Sequence, residues 1–365
     1  MSDAKTTAEA ALSAVLYEPL GKPLGELRLI KSVEHADGRV SVAIELPSPF
    51  EREAVRAAAE KVLLALPGVK EVELKISVRL QGRAVASDDP IPGVKNVIMV
   101  LSGKGGVGKS TCAVNLATAF ARAGLQVGLL DADMYGPSIP TMLGVTGRPS
   151  SSDGKHIDPL DRFGVKLMSL GFLLEDEKTA VVWRGPMLHG ALMQFVQDVA
   201  WGKLDMLVVD LPPGTGDVAL TMAQKVPASG AVVVTTPQEV ALADVYKSVS
   251  MCQKVHIPML GVIENMSSFV CPHCHTESVL FGKGGGDKVA EFAQAPLLGR
   301  IPIEPTVREC GDGGTPVVQH APESAPARAF TAVAASLVNV LTNVHYKRKG
   351  TLEEPKQQVR LPIMR

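Results

Sequence analysis

The sequence predicts an α/β protein: a doubly wound, mainly parallel sheet preceded by a small α+β domain. Three observations predict it. Short continuous apolar runs at 96–101, 127–130, 204–209, 231–234 and 259–263 read as strands buried on both faces. Segments long enough for crossover helices separate them, with helical patterns at 110–123, 187–199 and 287–293. Residues before 87 have a different texture, alternating apolar and polar like half-buried strands.

In that first part, a short helix is expected at 12–16 and strands at 27–33, 40–46 and 69–78. A helix falls between the second and third strands. Ser48 is placed as N-cap, Pro49 takes the first helical position, Glu51 follows three residues after the cap, and an Ala/Leu-rich run continues to Leu66 before Pro67-Gly68 stops it. The result is an α-β-β-α-β unit over 1–86. Ser87-Asp88-Asp89-Pro90-Ile91-Pro92-Gly93 is polar and proline-containing, as a hinge would be, and makes 87–95 a linker. The sheet domain then runs over 96–344. The last stretch, 345–365, has mixed charge, two prolines and no apolar face, and is expected to be a loose tail.

Composition narrows the function. A chain of 365 residues with 46% hydrophobic residues can build two cores. Lys and Arg number 37 against 38 Asp and Glu, which leaves no excess charge for holding nucleic acid or an anionic membrane, so neither is expected as a partner. No apolar run reaches the ~18 residues of a membrane span, and the start lacks the basic-then-apolar order of a signal peptide. A cytoplasmic location follows as the expectation. Five cysteines are too few and odd in number for a disulfide framework, so the thiols are expected reduced.

Gly103-Lys104-Gly105-Gly106-Val107-Gly108-Lys109-Ser110 fits G-x-x-x-x-G-K-[ST] and sits between an expected strand and an expected helix. The glycines let backbone amides turn toward phosphates, and the helix N-terminus adds positive potential. Lys109 reaches the β- and γ-phosphates, the Ser110 hydroxyl joins a Mg²⁺ shell, and Thr111 follows in the first turn. The sheet domain is thereby expected to be a P-loop NTPase. Asp131-Ala132-Asp133 and Asp210 stand at the ends of two expected strands, on the phosphate edge of a parallel sheet. Asp210 is assigned to Mg²⁺ through water, Asp131 to the outer metal shell and Asp133 to orienting the attacking water. No N-K-x-D stretch for guanine is present, which favours ATP, and Asn265, after the last of the five strands, is the candidate for the adenine edge.

Lys104 is not needed to cradle nucleotide in its own subunit. It resembles the signature lysine of the deviant Walker A ATPases, the group of MinD, ParA-type partition proteins and the nitrogenase iron protein. That resemblance implies a lysine crossing a dimer interface to the partner's nucleotide.

Cys271-Pro272-His273-Cys274 is the one Cys-x-x-Cys in the chain. Its spacing lets two thiolates converge on a metal, but a structural zinc or a cubane cluster needs about four ligands. A symmetric dimer supplies the other two. A bridging 4Fe-4S cluster, a bridging zinc and a redox dithiol all fit the spacing. Cys112, Cys252 and Cys310 fall in or beside apolar segments and read as buried and inert.

From the phosphate loop to Pro316 the sequence closely resembles the Mrp/ApbC-type iron–sulfur cluster carrier ATPases. The resemblance rests on an ordered series: 103–111, Asp131-Ala132-Asp133-Met134-Tyr135-Gly136-Pro137-Ser138-Ile139-Pro140, Trp183-Arg184-Gly185-Pro186, and Asp210-Leu211-Pro212-Pro213-Gly214-Thr215-Gly216-Asp217. It continues through Glu264-Asn265-Met266-Ser267, the cysteine pair, 281–286 and 311–316. It implies an ATP hydrolase that binds a labile cluster on Cys271 and Cys274 of two subunits, receives it from upstream scaffold proteins and passes it to apoproteins. The first domain looks like the small iron–sulfur assembly accessory domain often fused to these carriers. Its usual acidic turn is Glu18-Pro19-Leu20-Gly21 here, and Leu46-Pro47-Ser48-Pro49-Phe50 stands where many members carry a cysteine, which points to docking or regulation. His275 replaces the glycine that commonly follows the cysteine pair. The competing expectation is a positional ATPase of the MinD/ParA kind acting on membrane or DNA.

Overall fold

The structure, a computed structural model, describes residues 2–133, 136–173, 185–271, 273–274, 276–348 and 350. The chain divides into two compact units, Met1–Gln81 with Asn339–Arg365, and Gly82–Val338.

In the first unit, helix α1 (Ser2–Ser13) leads through β1 (Leu16–Tyr17) and β2 (Lys22–Pro23) to β3 (Ile30–Ala36), β4 (Arg39–Leu46), helix α2 (Arg52–Leu64) and β5 (Glu71–Val78). β3 and β4 pair antiparallel across Asp37-Gly38, both at positive φ as a tight hairpin turn requires, and β5 lies parallel to β4. Alternation along β4 buries Val40, Val42, Ile44 and Leu46 together with Val55, Ala59 and Leu63 of α2. The helix expected at 12–16 ends earlier, because the Leu24 amide bonds the Val15 carbonyl and pulls the chain into the β1–β2 hairpin. The cap of α2 also differs from expectation. The helix starts at Arg52, and the Ser48 hydroxyl accepts the Phe50 amide at 3.3 Å in the turn before it.

The second unit runs β6 (Val94–Ser102), α3 (Lys109–Arg122), β7 (Val127–Asp131), α4 (Ile139–Met142), β8 (Leu160–Arg162), β9 (Val165–Ser169), α5 (Gly185–Gln197), β10 (Leu204–Asp210) and α6 (Asp217–Lys225). It continues with β11 (Gly230–Thr235), α7 (Glu239–Lys254), β12 (Met259–Val270), β13 (Glu277–Ser278), α8 (Gly285–Ala293), β14 (Leu297–Ile303), α9 (Pro305–Asp312), α10 (Val317–His320) and α11 (Ala325–Arg348). Its sheet has the order β13-β12-β11-β6-β10-β7-β9-β8, with β14 also on β12. All pairings are parallel except those of the edge strands β8 and β13. The chain's first strand in this unit, β6, thus lies mid-sheet between β10 and β11, and successive connections leave it to opposite sides. Such a switch opens a crevice at the carboxyl ends of the strands. β6 is buried almost throughout, as its unbroken apolar run predicts.

The segment read as a hinge is tied into this unit. Arg83 and Asp89 form an ion pair with side chains 5% and 1% exposed, and Arg83 also donates to the Ile91 carbonyl at 2.9 Å. Burial alone would raise the Asp89 carboxyl, but the Arg83 guanidinium and the Ile91 amide together hold it below its ordinary value. Asp89→Ala leaves the guanidinium buried and unpaired, and is expected to cost about 3–5 kcal/mol in urea unfolding. Because the folded carboxyl has the lower pKa, the stabilisation is present at neutral pH and is lost as the pH falls through that value. Unfolding curves should therefore converge for wild type and variant in acid.

The second unit was expected to end near Val344 and a tail to begin at His345. Instead α11 continues to Arg348, with His345 and Tyr346 buried, and its residues from Asn339 on belong to the first unit. α11 has the length and apolarity of a membrane span, yet Phe330, Val333, Leu337 and Leu341 are buried within the protein. Residues 351–365 of the expected tail lie outside the described residues.

Candidate functional site: a phosphate loop and a cysteine hairpin

β6 ends at Ser102, the loop occupies 103–108, and α3 begins at Lys109 with Gly108 as N-cap at φ +80°. The loop's glycines serve different purposes. A side chain at Gly103 would sit 2.3 Å from the backbone nitrogen of Val245, so this glycine is required by α7 packed behind the loop. Gly105 and Gly106 face open space, where phosphates would approach the amides. Val107 is buried, and Ser110 and Thr111 sit in the first turn of α3.

Lys109 is 6% exposed, with its ammonium 2.8 Å from Asp210 and 3.4 Å from Asp133. The Ser110 hydroxyl donates to the other Asp210 oxygen at 2.5 Å. Parallel pairing sets Asp131 beside Asp210 in register, both fully buried. One Asp131 oxygen accepts the Ser169 hydroxyl at 2.9 Å, and the other accepts the Asp133 amide at 3.1 Å. Burial raises the carboxyl of Asp131, and the Asp210 carboxylate adds to the effect. Burial also raises Asp210, against the lowering effect of the Lys109 ammonium. All three aspartates named from the sequence therefore meet Lys109 and Ser110 at one edge of the sheet. Such a hydroxyl-and-carboxylate set, short of positive charge, fits Mg²⁺, which takes oxygen ligands.

Ser169 was missed in the sequence. Its signal is the run Val165-Lys166-Leu167-Met168, whose strand β9 ends level with Asp131. Lys104 is half-exposed and its ammonium makes no ion pair among the described residues, while the Ser102 hydroxyl donates to its carbonyl at 3.0 Å.

Asn265 departs from expectation in its setting. It is not in a turn after a strand, because β12 continues past it to Val270. Buried there, its side-chain amide donates to the Val107 carbonyl of the phosphate loop at 2.9 Å. Neighbouring Glu264, also missed, is 2% exposed and accepts the Gly286 amide at 2.6 Å and Arg300 Nε at 3.0 Å.

The cysteine pair lies at the turn between β12 and β13, in an antiparallel hairpin where Val270 faces Glu277. The Cys271 amide donates to the Thr276 carbonyl at 3.0 Å, and Cys274 Sγ lies 3.3 Å from Thr276 Oγ1. Cys274 is exposed and Cys271 half-buried. The Thr276 hydroxyl, then the Thr276 amide and Cys271, hold the Cys274 thiol below its ordinary value. No group of three or more metal-binding side chains occurs among the described residues. Pro272, His275, Met134, Tyr135, Trp183 and Arg184 lie outside the described residues. Cys112, Cys252 and Cys310 are buried, and burial raises each thiol.

The chain is similar to known proteins over most of its length. A family model described as NUBPL iron-transfer P-loop NTPase matches residues 93–338, and one described as iron-sulfur cluster assembly protein matches residues 5–74. The iron-sulfur cluster carrier protein of Synechocystis sp. is 45% identical over 342 residues, covering 91% of this chain and 97% of that one. That of Escherichia coli K12 is 46% identical over 322 residues, covering 87% and 85%. Among solved structures, a nucleotide-binding protein from Archaeoglobus fulgidus in complex with ADP is 39% identical with a TM-score of 0.55, covering 63% of this chain and 92% of that one. The cell division ATPase MinD of Pyrococcus furiosus, 24% identical with a TM-score of 0.51 and covering 66% and 98%, shares the fold.

Proposed function

Since the chain belongs to the iron–sulfur cluster carrier family of ParA-type P-loop NTPases, we propose that it is a cytoplasmic, ATP-hydrolysing homodimer that holds a labile cluster, of 4Fe-4S type, and hands it to apoproteins. Cys271 and Cys274 of two copies would supply the four sulfurs. The observation that carries this reading is the hairpin itself: two thiols at an exposed tip, one of them shifted toward thiolate, with no third ligand from the same chain among the described residues. An exposed tip with two ligands per chain suits cargo that must leave again. The same hairpin exposes Val270, Val279 and Leu280, apolar surface that a second copy would cover.

At the other site the chain's own groups divide the work on ATP. Amides of the phosphate loop and Lys109 bind the β- and γ-phosphates, and Lys109 leaves Asp133 to do so. Asp133 would then orient the attacking water. Ser110 and Asp210 would hold Mg²⁺, with Asp131 behind them, and that ion supplies charge neutralisation at the phosphates. Lys104 would reach across to the partner's nucleotide. The first unit, whose family is that of cluster assembly proteins, is assigned to docking with upstream scaffolds or recipients.

Anaerobic reconstitution with iron and sulfide tests the reading. Wild type should retain about four irons per dimer, the stoichiometry of one cubane. Cys271→Ala and Cys274→Ala should each retain none, and mass measurement should find the loaded protein dimeric. Equal retention in all three proteins would end the proposal.

A further inference from the structure

Among the described residues, β12 is the strand that runs from the phosphate loop to the cysteine hairpin. It passes the phosphate loop at Asn265 and reaches Cys271 six residues later, about 20 Å along an extended strand. Two consecutive residues tie β12 to its surroundings before it enters the hairpin. Asn265 donates to Val107 at 2.9 Å, on the limb leading to the cysteines. Glu264 accepts the Gly286 amide at 2.6 Å, in the first turn of α8 after the hairpin. Between Asn265 and the cysteines the backbone is irregular: Met266 has φ +57° and the pairing of β12 with β14 shifts register between Asn265 and Phe269. Such a bulge lets the outer part of a strand change direction while the inner part stays in the sheet.

The contact on the loop side is tight. A side chain at Gly108 would lie 2.2 Å from the Asn265 amide nitrogen, so Asn265 packs directly against the residue that caps α3. Lys109, the next residue, lies 2.8 Å from Asp210 and 3.4 Å from Asp133, where phosphate would compete for its ammonium. A loop that moves at Gly108 and Lys109 on binding phosphate moves against the side chain of Asn265.

We propose that Asn265 is a positioning residue: it transmits the state of the phosphate loop along β12 to the cysteine hairpin, so that nucleotide binding changes the exposure of Cys271 and Cys274. The inference rests on the carrier reading only for the purpose it gives to those thiols. The coupling itself needs no cluster.

The test uses the metal-free, reduced full-length protein and measures the rate of Cys274 alkylation by iodoacetamide, by peptide mass spectrometry, with and without saturating MgATP. In wild type the two rates should differ by at least about fivefold, the lower range of coupling between linked sites. In Asn265→Ala, at nucleotide concentrations shown by titration to fill the site, the ratio should fall to about one. Should that variant not bind nucleotide, Asn265→Leu serves, since it keeps the bulk beside Gly108 but cannot donate to the Val107 carbonyl. Its ratio should also fall. No nucleotide effect in wild type, or an undiminished ratio in the variant that fills, overturns the inference. A clear wild-type ratio in a protein that retains no iron or sulfide would sink the carrier reading and leave the coupling standing.

Discussion

Lys109→Ala is expected to lower ATP hydrolysis by about 10³-fold, the scale of losing one preorganised group at developing charge. The Lys109 ammonium is nearly enclosed, touches Asp210 and Asp133, and is positioned for phosphate by the first turn of α3. Its removal has a second effect: Asp210 and Asp131 are fully buried and would lose their nearest cation. Negative charge would then meet the incoming triphosphate, so nucleotide affinity should drop as well. Single-turnover phosphate release at saturating ATP separates the two losses. A fall of less than about tenfold would mean that the phosphate charge is met elsewhere.

Lys104→Ala should give a different pattern, with nucleotide affinity within a few-fold of wild type and hydrolysis down by about 10³-fold, as when a cation supplied in trans is lost. The basis is position. Lys104 lies half-exposed in the loop, without an ion pair among the described residues, while Lys109 already occupies the intramolecular role. Mixing provides the decisive measurement. A dimer of one Lys104→Ala chain and one Lys109→Ala chain contains one site with its own Lys109 and the partner's Lys104. Activity should therefore return when the two inactive proteins are combined. If the mixture stays inactive, or if Lys104→Ala hydrolyses ATP normally, the lysine does not act across an interface.

Much of the site was legible because local sequence and local structure coincide there. A glycine loop between a buried strand and a helix has few physical alternatives, and Asp131 and Asp210 could be placed because parallel strands deliver their carboxyl ends to one edge. Other residues gave no local sign. Ser169 and Glu264 act through partners far along the chain, Asp131 for the one and Gly286 and Arg300 for the other. Asn265 was found, but its setting was misread: the apolar run of β12 stops at Ile263 while the strand continues, because pairing with β14 and the β13 hairpin sustains polar residues that a solitary strand would not. The hinge reading of 87–93 shows the same limit. Prolines and aspartates look solvated until Arg83 buries one of the carboxylates.

By itself the sequence determined the fold class, the nucleotide loop, its carboxylates and the pair of thiols, since each is encoded by residue type at fixed spacing within one element or one turn. The tertiary structure alone decided what those pieces are joined to: Gly103 against α7, Lys109 between two carboxylates, and Asn265 on the Val107 carbonyl of the loop. The physical reason is that spacing along a chain constrains neighbours a few residues away, whereas the energy of a buried hydrogen bond or close packing depends on groups that only folding brings within a few ångströms.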